Sequence, residues 1–210
     1  MNEPVAVAIL AKAPIAGFAK TRLIPVLGAR GAAVLQERLV GRAVETACAA
    51  AIGPVTLWAT PDESHPVFQS IGARLGITLA RQADGDLGER MLAAITAANR
   101  CVLLIGSDCP ALTLEHLRTA ADVLRDRAPA VVIPAEDGGY ALIGVRTPDP
   151  ALFSDMPWGT PLVMNETRRR LRTLGLTWRE PVMLWDVDLP QDLERMRGIG
   201  LHDLIPSEKS

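Results

Sequence analysis

VAVAILAKAPIAGFAKTRL, residues 5–23, indicates the architecture of this chain. Its first part, Val5–Ala11, is a continuous apolar run, which predicts a strand buried on both faces of a sheet. The following loop, Lys12–Leu23, contains three cations, one glycine and no acid. A buried strand followed directly by such a loop is typical of an α/β sheet that binds an anion at its carboxyl edge.

The rest of the chain alternates apolar runs with segments of helical periodicity. Further strands are predicted at Pro54–Thr60, Thr78–Arg81, Cys101–Gly106, Ala130–Pro134, Tyr140–Val145 and Trp178–Trp185. Helices are predicted at Gly31–Ala51, His65–Leu75, Leu87–Ala98, Leu114–Leu124, Thr160–Leu174 and Asp192–Met196. This alternation predicts a three-layer α/β/α fold with a mostly parallel sheet, whose ligands bind beyond the carboxyl ends of the strands.

Composition limits the class of protein. The 210 residues contain no Gly/Ser linker and no repeat, so we expect a single domain over residues 1–210. The net charge of −2 provides no overall field for holding nucleic acid. No stretch approaches the ~20 apolar residues of a membrane span. The three cysteines lack CxxC spacing, which favours a reducing compartment. We therefore expect a cytoplasmic protein without nucleic-acid or membrane partners.

The basic loop has two interpretations. Lys12, Lys20 and Arg22 provide neutralising charge, and Gly17 allows backbone amides to approach a phosphate group closely. The spacing matches neither the GxxxxGK[ST] phosphate loop nor the GxGxxG dinucleotide motif. The loop is therefore either a phosphate-binding loop of another kind or a solvated basic surface.

An acid, Asp108, follows the apolar run CVLLIG at the end of a central strand. Burying a carboxylate at such a position is unfavourable unless another group compensates its charge. Mg²⁺ is one such group, because it commonly binds one or two carboxylates together with phosphate oxygens. The alternative is that Asp108 caps the next helix, although Thr113 is better placed to do so.

Two later segments carry acids or glycines next to predicted strands. Asp186 and Asp188 share one face of an extended segment, because side chains alternate with a period of two. Asp192 is best explained as a helix-start residue, whereas Asp186 lies too far upstream to be one. Gly138 and Gly139 join two strands, either as a hairpin turn or as a contact to a substrate.

Several motifs occur in a fixed order along the chain. They are KxPxxGxxKTRL at 12–23, DLGxRM at 86–91, DCP at 108–110, PAxDGGY at 134–140, WxT at 158–160 and DxDxPxDL at 186–193. This set covers the chain from Val5 to Arg197 and resembles the bacterial GT-A-type transferases associated with radical-SAM/selenodomain proteins. It is more distantly similar to 2-phospho-L-lactate guanylyltransferase and other small nucleotidyltransferases. Leu189 and Gln191 depart from the family's pattern, in which Thr and Glu are common at these two positions.

The resemblance implies a nucleotide-diphosphosugar transferase fold of the GT-A type. Its metal, Mg²⁺ or Mn²⁺, would be held by Asp108 and Asp186. The residues implied in catalysis are Lys12, Lys20, Arg22 and Asp108. The residues implied in nucleotide binding are Ala11, Lys12, Gly17, Lys20, Arg22, Gln82 and Gly88. The three cations among them would bind the phosphates. The side of the second substrate would be lined by Asp137, Gly138, Gly139, Tyr140 and Trp158.

Three functions follow from these expectations. The first is nucleotidyl transfer from an NTP to a small acceptor, which the three cations favour because pyrophosphate is a highly charged leaving group. The second is glycosyl transfer from an NDP-sugar, which needs less cationic charge. The third is a non-catalytic nucleotide-binding partner of a radical-SAM enzyme, against which Asp108 and Asp186 argue. The sequence leaves the oligomeric state open, with a homodimer as one option.

Overall fold

The expected alternation of strands and helices is present in the computed structural model, which describes residues 3–206. The strands are β1 (Ala6–Lys12), β2 (Val55–Thr60), β3 (Thr78–Arg81), β4 (Val102–Ile105), β5 (Ala130–Pro134), β6 (Tyr140–Val145) and β7 (Trp178–Arg179). The α-helices are α1 (Ile24–Ala50), α2 (Pro66–Leu75), α3 (Leu87–Ala98), α4 (Leu114–Arg125), α5 (Val163–Thr173) and α6 (Pro190–Gly198). Among residues 3–206, no helix has both the length and the apolar character that crossing a bilayer requires.

All seven strands form one sheet in the order β3-β2-β1-β4-β6-β5-β7. Strand β6 pairs antiparallel with both of its neighbours, and the other strand pairs are parallel. Six strands therefore point in the same direction, which confirms the prediction of a mostly parallel sheet. The carboxyl ends of β1, β2 and β4, which are neighbours, meet at one edge, where ligands bind in such sheets.

The core lies on both faces of this sheet. Alternate residues of β1 enter different apolar clusters, as the strand period of two requires. Val7 and Ile9 pack in the cluster that contains buried residues of α1, α2 and α4. Ala6 and Ala8 pack in the cluster that contains buried residues of α3 and α5. The structure thus has the three-layer α/β/α arrangement predicted from the sequence.

Two predicted elements differ most from their bounds in the structure. Helix α1 begins at Ile24 rather than Gly31, and it is kinked at Gly28, whose φ of 69° and ψ of 166° are not helical. The kink breaks the periodicity, so the first turn is not recognisable as part of the helix. The strand predicted over Trp178–Trp185 is wrong beyond Arg179. Pro181 lacks the N–H that a sheet ladder needs, and only an isolated bridge at Leu184 follows it.

Side-chain hydrogen bonds stabilise the starts of α3, α4 and α6, as expected for Thr113 and Asp192. Asp86 caps α3 in a capping box with Glu89, and Thr113 caps α4. The carboxylate of Asp192 accepts hydrogen bonds from the backbone amides of Asp188 and Leu189 at 3.0 and 2.7 Å. Asp192 therefore stabilises the first turn of α6, and Asp108 does not cap α4.

Candidate functional site

A cavity of about 430 Å³, here called the loop cavity, lies at the carboxyl ends of β1 and β4. It is lined by parts of the basic loop, by the end of β2 and by the segment after β3. The predicted site residues that line it are Ala11, Lys12, Lys20, Arg22, Gln82 and Asp108. The fold therefore brings the predicted phosphate-binding loop and the predicted metal ligand Asp108 to the same place.

Lys20 connects the basic loop to both acidic segments. Its Nζ lies 2.7 Å from Oδ1 of Asp108 and 3.4 Å from Oδ1 of Asp188, and it donates to the carbonyl oxygen of Val187 at 2.6 Å. The Lys20 side chain is only 5% exposed. Burial acts to lower the pKa of Lys20, but the two carboxylates outweigh it and the pKa is raised. Lys20 is therefore a buried, charged group that contacts two carboxylates and a backbone carbonyl, and its expected contact with phosphate stays a prediction.

The other cations of the loop cavity are more accessible. Lys12 is exposed, and Arg22 is 70% exposed with one guanidinium nitrogen 3.7 Å from Oδ2 of Asp188. Arg90, in the first turns of α3, also lines the cavity. It was not among the predicted site residues, although its motif at 86–91 could have identified it. These three side chains provide positive charge that can reach an anion in the cavity.

Two buried glutamines fix the backbone around the loop cavity. The Nε2 of Gln82 donates to the carbonyl oxygens of Ala11 and Trp58 at 3.2 and 2.9 Å. The Nε2 of Gln36 donates to the carbonyl oxygen of Lys12 at 3.2 Å and to Ser107 at the same distance. Gln36 is not recognisable as a site residue from the sequence, because it lies on α1 far along the chain from both of its partners.

Asp186 lies near three other carboxylates, of which Asp108 and Asp188 pair with Lys20. Burial is the main cause that raises its pKa, and repulsion from Asp108, Asp137 and Asp188 raises it further. Lys20 acts in the opposite direction, and the resulting pKa is about 7. Among residues 3–206, no side chain forms an ion pair with Asp186. The site therefore has negative charge that a cation would stabilise.

The donor atoms at Asp108 and Asp186 fit a hard divalent cation. Within the described range, no three His, Cys, Asp or Glu side chains are already arranged as a complete metal site. Mg²⁺ does not need such a set, because it takes one or two carboxylates and completes its shell with water and phosphate oxygens. The Asp108 side chain is 46% exposed, and its Oδ1 accepts from Lys20. A metal bound here would thus be shared between the carboxylates and a ligand's phosphates.

A second cavity of about 470 Å³, here called the inner cavity, adjoins the loop cavity. Leu10, Arg22, Leu87 and Asp188 line both cavities, so these side chains mark the border between them. Of the predicted residues, the inner cavity is also lined by Asp137, Gly139, Tyr140, Trp158 and Asp186. Two ligands placed in the two cavities would therefore meet beside the carboxylates.

Tyr140 and Trp158 form an aromatic wall of the inner cavity. Their rings are perpendicular, with centroids 6.3 Å apart. The Tyr140 hydroxyl donates to Sδ of Met91 at 3.7 Å, and burial raises the pKa of this hydroxyl. The indole N–H of Trp158 is buried and has no partner within residues 3–206. Both residues therefore present mainly carbon atoms to the cavity.

Three predicted glycines line neither cavity. At Gly88, an added Cβ would collide with the carbonyl group of Phe153. At Gly138, whose φ is 90°, an added Cβ would collide with the backbone of Pro161. Gly17 has a φ of 85° and an open environment in the exposed part of the basic loop. The structure explains these glycines by close packing and backbone conformation, and any direct ligand contact stays a prediction.

Arg195 of α6 links the two acidic segments. Its guanidinium group binds both carboxylate oxygens of Glu136, at 2.8 and 2.9 Å, and lies 4.3 Å from the centre of the Trp185 ring. Glu136 and Trp185 directly precede Asp137 and Asp186 in the chain. Arg195 therefore connects the residues that precede these two aspartates, and it lines neither cavity.

Comparison with known families gives one match. The sequence model of the family described as "Uncharacterized protein conserved in bacteria (DUF2064)" matches residues 43–160. No curated protein sequence matches the chain.

Several solved structures are similar to this chain. A crystal structure of a candidate nucleotide-diphospho-sugar transferase from Desulfovibrio desulfuricans G20 is 30% identical, with a TM-score of 0.80, covering 88% of this chain and 82% of that one. CMP:2-keto-3-deoxy-manno-octonic acid synthetase complexed with CTP is 15% identical, with a TM-score of 0.59, covering 96% and 100%. Glucosyl-3-phosphoglycerate synthase from Mycobacterium tuberculosis, with Mn²⁺ and UDP, is 10% identical, with a TM-score of 0.56, covering 98% and 79%. The last two likenesses concern the fold alone.

Proposed function

The chain belongs to the DUF2064 family, and we propose that it is a metal-dependent transferase that moves a nucleotidyl group from an NTP to a small acceptor. One observation carries this proposal. The loop cavity brings Lys12, Arg22 and Arg90 together with Asp108, and it adjoins a second cavity at the carboxylates. Accessible cations beside acidic oxygens suit a metal-bound polyphosphate.

The proposed roles of the residues follow from their positions. Lys12, Arg22 and Arg90 bind the phosphates and stabilise the charge of the leaving pyrophosphate. Asp108 and Asp186 would hold Mg²⁺ or Mn²⁺, which would neutralise phosphate charge when bound. An acceptor oxygen in the inner cavity bonds to the α-phosphorus while the bond from that phosphorus to the oxygen bridging to the β-phosphate breaks. Pyrophosphate leaves, and a hydroxyl acceptor releases its proton to the pyrophosphate or to water. No protein nucleophile is required, because positioning and charge stabilisation account for most catalysis of phosphoryl transfer.

Glycosyl transfer from an NDP-sugar is the second candidate. The observation in its favour is the 30% identity to the candidate nucleotide-diphospho-sugar transferase from Desulfovibrio desulfuricans G20. The neighbour that binds UDP and Mn²⁺ shares the fold, although its identity is only 10%. In this reaction the same metal ligands would hold a diphosphate, and the inner cavity would contain the transferred sugar and its acceptor.

One assay distinguishes the two reactions. The protein is incubated with Mg²⁺, each NTP and a panel of phosphorylated and hydroxyl acceptors, and pyrophosphate is measured. Pyrophosphate release that depends on the acceptor and is lost in Asp108→Asn supports nucleotidyl transfer. Release of NDP from an NDP-sugar, without pyrophosphate from any NTP, supports glycosyl transfer instead. Nucleotide binding without turnover in either assay contradicts both and leaves the non-catalytic function.

A further inference from the structure

The inner cavity presents mostly carbon atoms, and we propose that its occupant is a small acceptor with an apolar body and a polar end, not a sugar. This inference rests on the proposed function, since it names the class of the second substrate. The cavity wall away from the carboxylates is formed by side chains that are apolar or aromatic. They include Leu10, Leu87, Met91, Tyr140, Trp158 and Val163.

The neutral polar side chains of this cavity already have partners or are turned away. The hydroxyl of Tyr140 donates to Met91, and the hydroxyl of Thr160 donates to the carbonyl oxygen of Pro157 at 2.7 Å. The indole N–H of Trp158 is buried next to the backbone of α3, close to where a Cβ of residue 88 would lie. These three groups are therefore not available to hydrogen-bond the hydroxyls of a sugar ring.

The charged side chains that line the inner cavity are Arg22, Asp137, Asp186 and Asp188, and they define where the polar end of the acceptor lies. Arg22 and Asp188 mark the border with the loop cavity, and Asp186 is electrostatically coupled to Asp108 and Asp188. A hydroxyl or phosphate placed at this border can reach the guanidinium group of Arg22 and a metal held by the aspartates. The remainder of the molecule then extends along the aromatic and aliphatic wall.

Solvation determines which kind of molecule fits this arrangement. A sugar hydroxyl that leaves water without gaining a new partner is strongly disfavoured. An aryl or branched alkyl group instead gains free energy in proportion to the apolar area that it buries. The cavity volume of about 470 Å³ is within the usual range for a small-molecule site. Of two molecules whose polar ends carry the same charge, the cavity should therefore bind the one with the apolar body more tightly.

Two probes of equal charge test this selection. Phenyl phosphate and glucose 1-phosphate are both phosphate monoesters, and they differ in whether the body is apolar or hydroxylated. Each is titrated into the full-length protein with Mg²⁺ by isothermal calorimetry. We expect phenyl phosphate to bind at least about tenfold more tightly, a difference of ~1.4 kcal/mol. Equal or tighter binding of glucose 1-phosphate, or no binding of either probe, overturns the inference.

A matched pair of variants shows whether the inner cavity is responsible. Val163 is 4% exposed and lines the cavity, whereas Leu162 is 59% exposed and does not. Val163→Thr replaces a methyl group with a hydroxyl, and we expect it to weaken phenyl phosphate binding by at least about fivefold. Leu162→Thr should leave it unchanged. Equal affinities in the two folded variants would overturn the assignment to this cavity.

The outcomes separate this inference from the proposed function. Preference for phenyl phosphate is a binding result and does not depend on turnover. If acceptor-dependent pyrophosphate release is found but glucose 1-phosphate binds more tightly, the reaction stands and the apolar acceptor is wrong. If phenyl phosphate is preferred but no transfer occurs with any nucleotide, the cavity assignment stands and the reaction is wrong.

Discussion

The Nζ of Lys20 lies 2.7 Å from Oδ1 of Asp108, although the two residues are 88 positions apart in the chain. This contact joins the basic loop after β1 to the acidic end of β4. Asp188 extends the contact to the segment before α6, because its Oδ1 lies 3.4 Å from the same nitrogen. The cationic loop and the candidate metal ligands therefore form one electrostatic unit, and a change in one should alter the other.

Removing the charge of Lys20 should lower the stability of the fold. Lys20→Met leaves two aspartates without their buried partner, and we expect the free energy of unfolding to fall by about 1–3 kcal/mol. The loss should be below that of a fully buried pair, because Asp108 and Asp188 are 46% and 45% exposed. Urea denaturation at neutral pH measures this change.

Lys12→Met is the matched control for Lys20→Met. Lys12 is exposed and lines the same cavity, but it forms no ion pair within residues 3–206. Its replacement should change stability by less than about 0.5 kcal/mol, while nucleotide affinity decreases. Equal destabilisation by the two variants would contradict a special structural role for the Lys20–Asp108 pair.

Replacing a candidate metal ligand should weaken the effect of metal on nucleotide binding. Asp108→Asn and Asp186→Asn each remove a negative charge from the site while keeping the size of the side chain. We expect the increase in nucleotide affinity on adding Mg²⁺ to fall by about tenfold or more in each variant. Calorimetric titration with and without Mg²⁺ measures it. Asp84→Asn, at a carboxylate that is 98% exposed, is the control.

The sequence was sufficient to predict the layers and the positions of most site residues. Apolar runs such as Val5–Ala11 identify buried strands directly, and the residues that follow strands must lie at the carboxyl edge. The sequence did not predict which charges pair. Lys20 was expected on phosphate, yet its nitrogen contacts carboxylates.

Residues that form hydrogen bonds with partners far away in the chain could also not be predicted from the local sequence pattern. Gln36 and Arg195 each lie on a helix, where a polar residue is ordinarily solvated, and their partners are distant in sequence. The strand predicted to reach Trp185 ends at Arg179, because Pro181 has no N–H to donate to a neighbouring strand. The apolar pattern that predicted the longer strand contains no information about this missing donor. Periodicity thus locates elements, whereas long-range hydrogen bonds become visible only when the elements are packed.

Arg195 should act as a positioning residue for the metal site. Arg195→Ala releases Glu136 and removes the contact with the Trp185 ring, so the two acidic segments lose their link. We expect Mn²⁺ affinity, measured by calorimetry, to decrease by about tenfold, as for other residues that orient metal ligands. Arg195→Lys should recover only part of it, because an ammonium group cannot bind both oxygens in the same geometry.

Arg197→Ala provides the comparison for Arg195→Ala. Arg197 lies on the same helix, and its ion pair is with Glu194 of that helix. Its replacement should leave Mn²⁺ affinity unchanged. If both alanine variants bind Mn²⁺ as the wild type does, Arg195 has only a structural role, and the proposed link between the aspartates is wrong.

The stability contributed by Glu166 should depend on pH. Hydrogen bonds from Arg169 and Arg170 lower the pKa of Glu166 to about 2, from an ordinary value of 4.5. A pKa that is lower in the folded state contributes stability above the unfolded pKa and loses it as pH falls toward the folded pKa. Glu166→Gln should therefore be less stable than the wild type at pH 7, with a difference that decreases between about pH 4.5 and 2.

Unfolding by urea at several pH values measures this dependence. Glu37→Gln is a suitable control, because Glu37 is exposed and has no ion pair within residues 3–206. Its stability should follow that of the wild type across the same range. If the difference in the free energy of unfolding between Glu166→Gln and the wild type did not change with pH, the arginines would stabilise the fold independently of the charge on Glu166.

The turn between β5 and β6 should require glycine at position 138 for two separate reasons. Gly138 has a φ of 90°, and an added Cβ would also collide with the backbone of Pro161. Gly159 has a φ of 76° but open space around it, so Gly159→Ala measures the backbone effect alone, about 1–2 kcal/mol. We expect Gly138→Ala to lower the free energy of unfolding by more than Gly159→Ala does, as measured by urea denaturation.

Gly138→Ala should also weaken phenyl phosphate binding, because Pro161 and Val163 line the inner cavity. Equal losses of stability in the two variants would mean that the segment from Pro161 onward moves aside freely, and that its packing against the turn does not shape the cavity.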